Sequence, residues 1–309
     1  MKKIIALVLS VLLCVGVMLS TVSCGSEADY TVGICQLMAH ESLDKATKGF
    51  KDALTAELEK AGKTVKFDVQ IPGEANLCST YVNAFVSKGV DLIMANATPA
   101  LTAAAEATSS IPVLGTSVTD YNDTFKNNIP NNVSGTSDAV PFDQQAKMMI
   151  DTLGLKSGDV VGVIYCTNES NSLIQFNAVK TYFEDKGIVV KAFTFSDAAT
   201  ELQGICNAAT SECKAIYVPS DNTVADNDSV VGTICEQKKI PVFTSYGGSI
   251  CYASLAIDYY QLGYETGKMA AQILLGNKTP KDIEIKTLVP TVVYNEELCS
   301  LLGIQVPNN

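Results

Sequence analysis

The sequence predicts an α/β protein built as two doubly wound parallel-sheet lobes joined by a multi-segment hinge. Three observations lead there. The chain has 309 residues, long for one compact core and comfortable for two. Short apolar runs alternate with stretches of helical periodicity almost without interruption. That alternation restarts after Pro141, and strands separated by helices of this length form parallel sheets covered on both faces.

In the first run, 31–37 reads as a short buried strand. Residues 42–61 read as a helix, because Leu43, Ala46, Phe50, Leu54 and Leu58 recur at helical spacing. A strand at 65–71, a helix at 75–88 and a buried strand at 92–95 follow. Pro99 then opens a helix at 101–108, and 113–115 is the next strand. The second run comprises helix 142–153, strand 160–165, helix 172–186, strand 188–193, helix 200–209, strand 215–218, helix 222–238 and strand 241–244. What remains (255–257, a helix at 259–275, and strands near 283–285 and 289–293) is too little for a third lobe. It reads as chain that returns to complete the first two. The expected division is a signal peptide at 1–23, an anchor and linker at 24–29, lobe 1 at 30–136 plus 246–280, and lobe 2 at 137–245 plus 281–309.

The formal charge is −11, and all 22 cations are Lys. Removal of Lys2 and Lys3 with a leader takes it to −13. A surface this acidic argues against nucleic-acid binding, which draws on clustered basic residues. The single His, His40, argues against a His-rich metal site or a His-based triad. Nucleophile elbows, phosphate loops and paired metal-ligand spacings are absent. A binding protein without cofactor is therefore expected rather than an enzyme.

Lys2 and Lys3, the apolar run 4–19 and the small residues before Cys24 read as a secretory signal. The run is below spanning length. Cys24 followed by Gly25 and Ser26 resembles the lipobox of bacterial lipoproteins, with Thr21 where that motif usually has Leu. The resemblance implies that Cys24 is lipidated and holds the protein to the outside of the membrane. Of ten Cys, eight then remain at 35, 78, 166, 206, 213, 235, 251 and 299. Several sit in apolar strand-like runs, where a free thiol behaves as a small hydrophobe, so reduced core thiols are expected.

Open parallel sheets bind ligands beyond the carboxyl ends of their strands, and the turns there are polar. They include 40–44, 96–98, 116–120, 165–172, 220–223 and 245–248. Ser42, Ser172 and Thr223 read as helix caps. The pairs Asn168-Glu169 and Asp221-Asn222 are richer than a cap needs, and stand equally as caps or as ligand groups.

Val32-Gly33-Ile34-Cys35-Gln36-Leu37, His40-Glu41-Ser42-Leu43-Asp44 and Gly49-Phe50 are together similar to the opening of the tryptophan/tyrosine-type substrate-binding proteins of ABC importers. Asn96-Ala97-Thr98-Pro99, Thr116-Ser117-Val118-Thr119-Asp120, Ser134-Gly135-Thr136-Ser137-Asp138, Asp221-Asn222-Thr223-Val224 and Ile257-Asp258-Tyr259-Tyr260 extend the resemblance to the C-terminus. It implies a type I periplasmic-binding fold, a monomer, an ABC permease as partner and an aromatic amino acid (tryptophan, tyrosine or phenylalanine) as ligand. The chain departs from the family at Glu41-Ser42, where Pro is common, and at Ser245-Tyr246-Gly247, where an acidic pair is common.

Without Arg, the chain cannot clamp an α-carboxylate with a guanidinium. Hydroxyls and helix-start amides, or a Lys, must do so, and Thr98, Thr116, Ser117 and Ser137 are the candidates for the hydroxyls. Asp221 or Glu169 would accept from the ammonium. Leu43, Tyr165 and Tyr246 would wall the aromatic ring, and Glu41, Asn168, Ser220 and Asn222 complete the expected site. A sugar or nucleoside ligand, or a sensor role on the same fold, stays open.

Overall fold

In the structure, a computed structural model, residues 28–306 are described; the expected leader at 1–23 and the anchoring Cys24 lie outside them. Lobe 1 holds β1 (Tyr30–Gln36), α1 (Glu41–Lys60), β2 (Val65–Gln70), α2 (Cys78–Lys88), β3 (Leu92–Asn96), α3 (Thr98–Ala107), β4 (Val113–Val118), α4 (Tyr121–Thr124) and β5 (Val133–Ser137). Lobe 2 begins with α5 (Phe142–Leu153) and continues through β6 (Val160–Cys166), α6 (Ser170–Asp185), β7 (Val189–Phe195), α7 (Ala198–Glu212) and β8 (Ala215–Val218). It then adds α8 (Asn222–Asp226), α9 (Asp228–Lys238), β9 (Val242–Thr244) and β10 (Ala253–Ala256). The chain returns to lobe 1 for α10 (Tyr259–Leu274) and β11 (Lys286–Thr287), then crosses back for β12 (Thr291–Tyr294) and α11 (Glu296–Leu301).

Lobe 1 carries a six-stranded parallel sheet in the order β11-β5-β4-β3-β1-β2. Lobe 2 carries a four-stranded parallel sheet, β7-β6-β8-β9, with the antiparallel pair β10-β12 beside it. The central strands of both sheets are buried on both faces, so their alternate residues feed opposite cores. On β3, Ile93 and Ala95 join one core while Leu92 and Met94 join the other. On β6, Val161, Val163 and Tyr165 pack on one side, and Ile164 and Cys166 on the other. Among the described residues, no helix is long and apolar enough to cross a membrane. All eight cysteines are buried and unbridged.

The lobe boundaries differ from the expected ones. The segment 246–257, expected in lobe 1, belongs with lobe 2: Tyr252 N–H donates to the Val242 carbonyl, and β10 pairs with β12. Residues 286–287, expected in lobe 2, pair with Thr136 and Ser137 of lobe 1. The chain therefore crosses between lobes near 138–141, 257–258 and 288–290. Three crossings make the hinge. The helix expected at 222–238 is two helices that meet at Asn227, and β5 was not anticipated.

Candidate functional site

Ligand-facing geometry in lobe 1 starts at the carboxyl ends of β3 and β4. Ala97, between β3 and α3, has φ 91° and ψ 155°, a region close to glycine-only, and caps α3 with no side-chain bond. Thr98 follows, and its buried hydroxyl meets no hydrogen-bond partner. The pairing of β4 with β5 slips between Gly115 and Val118, and there Ser117 takes φ 55°. Such a bulge re-aims a side chain. The buried Ser117 hydroxyl is likewise without a partner. The other two hydroxyls expected to hold a carboxylate are engaged inside lobe 1. Thr116 Oγ1 is hydrogen-bonded to Thr136 Oγ1 at 3.2 Å, and the chain continues to Thr266 Oγ1 at 2.8 Å. Ser137 Oγ donates to the Thr119 carbonyl and accepts from the Ala139 N–H.

In lobe 2 the two expected acids are saturated. Glu169 accepts from the N–H groups of Asn222 (3.0 Å) and Thr223 (2.7 Å), from Asn222 Nδ2 (2.6 Å), from the Thr223 hydroxyl (2.8 Å) and from Asn171 Nδ2 (3.4 Å). It therefore satisfies the free amides at the start of α8. Asp221 accepts from Cys166 N–H, the Ser172 hydroxyl and Val224 N–H at 2.7–2.9 Å. Burial and the Glu169 charge push the Asp221 carboxyl well above its ordinary range, while those three donors pull it down. Ser172 and Thr223, expected as caps, instead donate their hydroxyls to these carboxylates. Ser42 does not cap α1, whose N-cap is His40 without a side-chain bond.

The lobes meet around a cavity of about 10 Å³, room for about one water and far below the ~300–1,000 Å³ usual for small-molecule sites, so the shut lobes leave little free space between them. Leu43 and Ser117 reach it from lobe 1, Ser220, Asp221, Asn222 and Tyr246 from lobe 2. Tyr246 is buried and its phenol has no partner, whereas Ser220 Oγ pairs with Ser245 Oγ at 2.7 Å. Five more lining residues stood outside the expected site: His40, Asp138, Tyr259, Ala225 and Ser42, the last expected as a cap. His40 Nε2 donates across the gap to Asn222 Oδ1 at 3.2 Å. The acceptor is fixed because Asn222 Nδ2 is spent on Glu169. Gln175 Nε2 of lobe 2 donates to Thr119 Oγ1 of lobe 1 at 3.3 Å. These bonds join the lobes in a shut arrangement.

Seven expected residues do not line the cavity: Thr98, Thr116, Ser137 and Glu169, described above, and Tyr165, Asn168 and Glu41. Tyr165 packs on Phe176 with ring centroids 5.3 Å apart, inside the lobe 2 core. Asn168 is exposed and donates to the Ser196 carbonyl beside a separate groove. Glu41 lies at an outer mouth between the lobes, paired with Lys45 at 2.6 Å.

Two hinged parallel-sheet lobes, closed over a small cavity lined by unpartnered hydroxyls, define a solute-binding protein of the type I periplasmic-binding class. More distant solved solute-binding proteins, 14–15% identical with TM-scores of 0.64 and 0.65, share this fold. Residues 31–309 match the family model described as ABC transporter substrate binding protein, and the chain belongs to that family. It is 35% identical over 289 residues to a tyrosine-binding protein of Clostridioides difficile (strain R20291), covering 91% of this chain and 83% of that one. It superposes with a TM-score of 0.81, at 31% identity, on a Streptococcus pneumoniae domain solved in complex with L-Trp, covering 91% and 96% of the two chains. On the ligand-free, open structure of a substrate-binding protein with adhesive properties from Clostridium difficile, the TM-score is 0.66 at the same 31% identity, covering 91% and 97%. Equal identity with unequal superposition agrees with lobes that are shut.

Proposed function

We propose that this protein captures an aromatic amino acid outside the cell, without altering it, and delivers it as a monomer to an ABC permease while tethered through a lipid on Cys24. The observation that carries the ligand reading is the pair of unpartnered, buried hydroxyls on Ser117 and Tyr246, which line one cavity from opposite lobes. Buried hydroxyls without partners cost about 1–3 kcal/mol each. They are retained where a ligand supplies the missing bond, here the α-carboxylate. Leu43, Tyr246 and Tyr259 form the apolar wall for a ring. The names of the tyrosine-binding relative and of the L-Trp complex support the same ligand class. Closure follows because a ligand that touches both lobes favours the shut state by its differential affinity.

The chain has no Trp, so added tryptophan is excited almost alone. Its emission should change and saturate on titration with the mature domain. Calorimetry with tyrosine and phenylalanine should give binding heats, and a sugar and nucleoside panel none. Heat from a sugar with silence from all three amino acids would overturn the ligand class. Turnover of any bound solute would revive an enzyme.

A further inference from the structure

Three carboxylates are buried at the cavity or against it, and only one keeps room for a guest. Glu169 and Asp221 spend their oxygens on five and three protein donors respectively. Asp138, at the first crossing between lobes, is 7% exposed and lines the cavity. Its side chain has two donors: Thr119 Oγ1 to Oδ1 at 3.3 Å and Tyr259 O–H to Oδ2 at 2.9 Å. A carboxylate offers about four acceptor positions, so about half its capacity is unspent. No Lys amine lies within ion-pair distance of Asp138 among the described residues. A buried charge without a counter-charge is costly, and short of taking up a proton itself, the carboxylate gains most from a cationic guest.

We infer that Asp138 is the acceptor for the ligand's ammonium group, so that the site selects zwitterions carrying a free amine over neutral or purely anionic solutes. This assignment rests on the amino-acid reading above and makes it specific. It also moves the ammonium from Asp221 and Glu169, which hold α8 in place, to the hinge. Thr119 accepts from Gln175 of lobe 2 while donating to Asp138. Shutting the lobes therefore points the Thr119 proton at the carboxylate and leaves the remaining lone pairs to the guest. The surroundings agree: burial pushes the Asp138 carboxyl above its ordinary range, the effect a bound cation reverses.

The test compares two ligands that differ by one amine, L-tryptophan and indole-3-propionate, on the wild-type protein and on Asp138→Asn. A charge-assisted bond corresponds to about 10- to 100-fold in affinity. Wild type should prefer L-tryptophan by that factor or more. Asp138→Asn should bring the two ligands within a few-fold, by weakening L-tryptophan while indole-3-propionate holds or improves. A thermal melt establishes that the variant is folded. Should it not fold, Asp138→Ser, which also removes the charge, carries the same comparison. A folded variant that keeps the wild-type preference overturns the assignment, as does a wild type that binds both ligands alike. A wild type that binds neither overturns the aromatic amino-acid reading itself, a separate outcome.

Discussion

Ser117 shows how a single residue can serve binding at the expense of stability. Its positive φ and its partnerless hydroxyl both burden the ligand-free fold. Ser117→Ala removes the hydroxyl and keeps the bulge, so two opposite effects are expected. The unliganded protein should gain about 1 kcal/mol in denaturant unfolding, and affinity for the favoured amino acid should fall roughly tenfold. A loss of both would make Ser117 an ordinary core residue. The sequence marked Ser117, Thr98 and Tyr246 by their position at strand ends, and the structure leaves those three hydroxyls unpartnered. It could not separate them from Thr116 and Ser137, because hydrogen-bond satisfaction depends on elements that are remote in sequence, such as α10 with Thr266. Tyr165 failed for a different reason. On a strand buried on both faces, the residue before the polar turn points to either core, and composition does not say which. His40 was read only for what one imidazole rules out, and Asp138 sits in a stretch where no hydropathy pattern announces a crossing.

At the scale of elements, the pairing of α1 with α10 is the main joint of lobe 1. A Cβ on Gly263 would stand 1.8 Å from the Ala46 carbonyl oxygen, and one on Gly49 would stand 2.1 Å from that of Tyr260. The two helices touch backbone to backbone, which only glycine allows. Gly263→Ala must push them apart, and with them the Tyr259 end that borders the cavity. It should destabilise by about 3 kcal/mol or more, read as a lower urea midpoint with an unchanged slope. An unchanged midpoint would show that the helices separate without cost. The long, strongly periodic helices were legible in the sequence because their apolar stripes are intact. Strand β5 was not, since Ser134, Gly135, Thr136 and Ser137 look like a turn. Their polar side chains are satisfied inside lobe 1, Ser134 by the Ile283 carbonyl at 2.7 Å. The split of the helix expected at 222–238 was equally hidden: its N-cap Asp221 marks only the start, and the break falls at Asn227, whose φ −117° and ψ 22° leave the helical region without a side-chain cap to announce it.

Across the whole molecule, the bond from His40 to Asn222 makes closure sensitive to pH. In the shut form burial holds the His40 ring below its ordinary range; the acids near it, Glu169, Asp226 and Asp44, oppose that shift without overcoming it. Tyr246 and Tyr259 line the same cavity and stay neutral, their phenols pushed well up by burial. In the open form the ring returns towards about 6.5. The open state therefore binds more protons, and the advantage of the shut state is fully present above about pH 6.5. It is lost as pH falls from there towards the depressed value of the shut form. Through His40 alone, ligand affinity should drop several-fold, and by no more than about tenfold, between about pH 7.5 and 5.5. Asp138 acts on affinity in the same direction, because its carboxyl is raised in the ligand-free form and a bound ammonium lowers it, so the His40 contribution must be isolated by substitution. His40→Gln keeps an amide donor at a similar reach and has no proton to gain. Its affinity at pH 7.5 should stay within a few-fold of wild type, and its pH profile over this window should be flatter. Calorimetric titrations at matched ionic strength measure both. Parallel profiles for the two proteins would mean that the imidazole does not govern closure and that the slope belongs to the carboxylates.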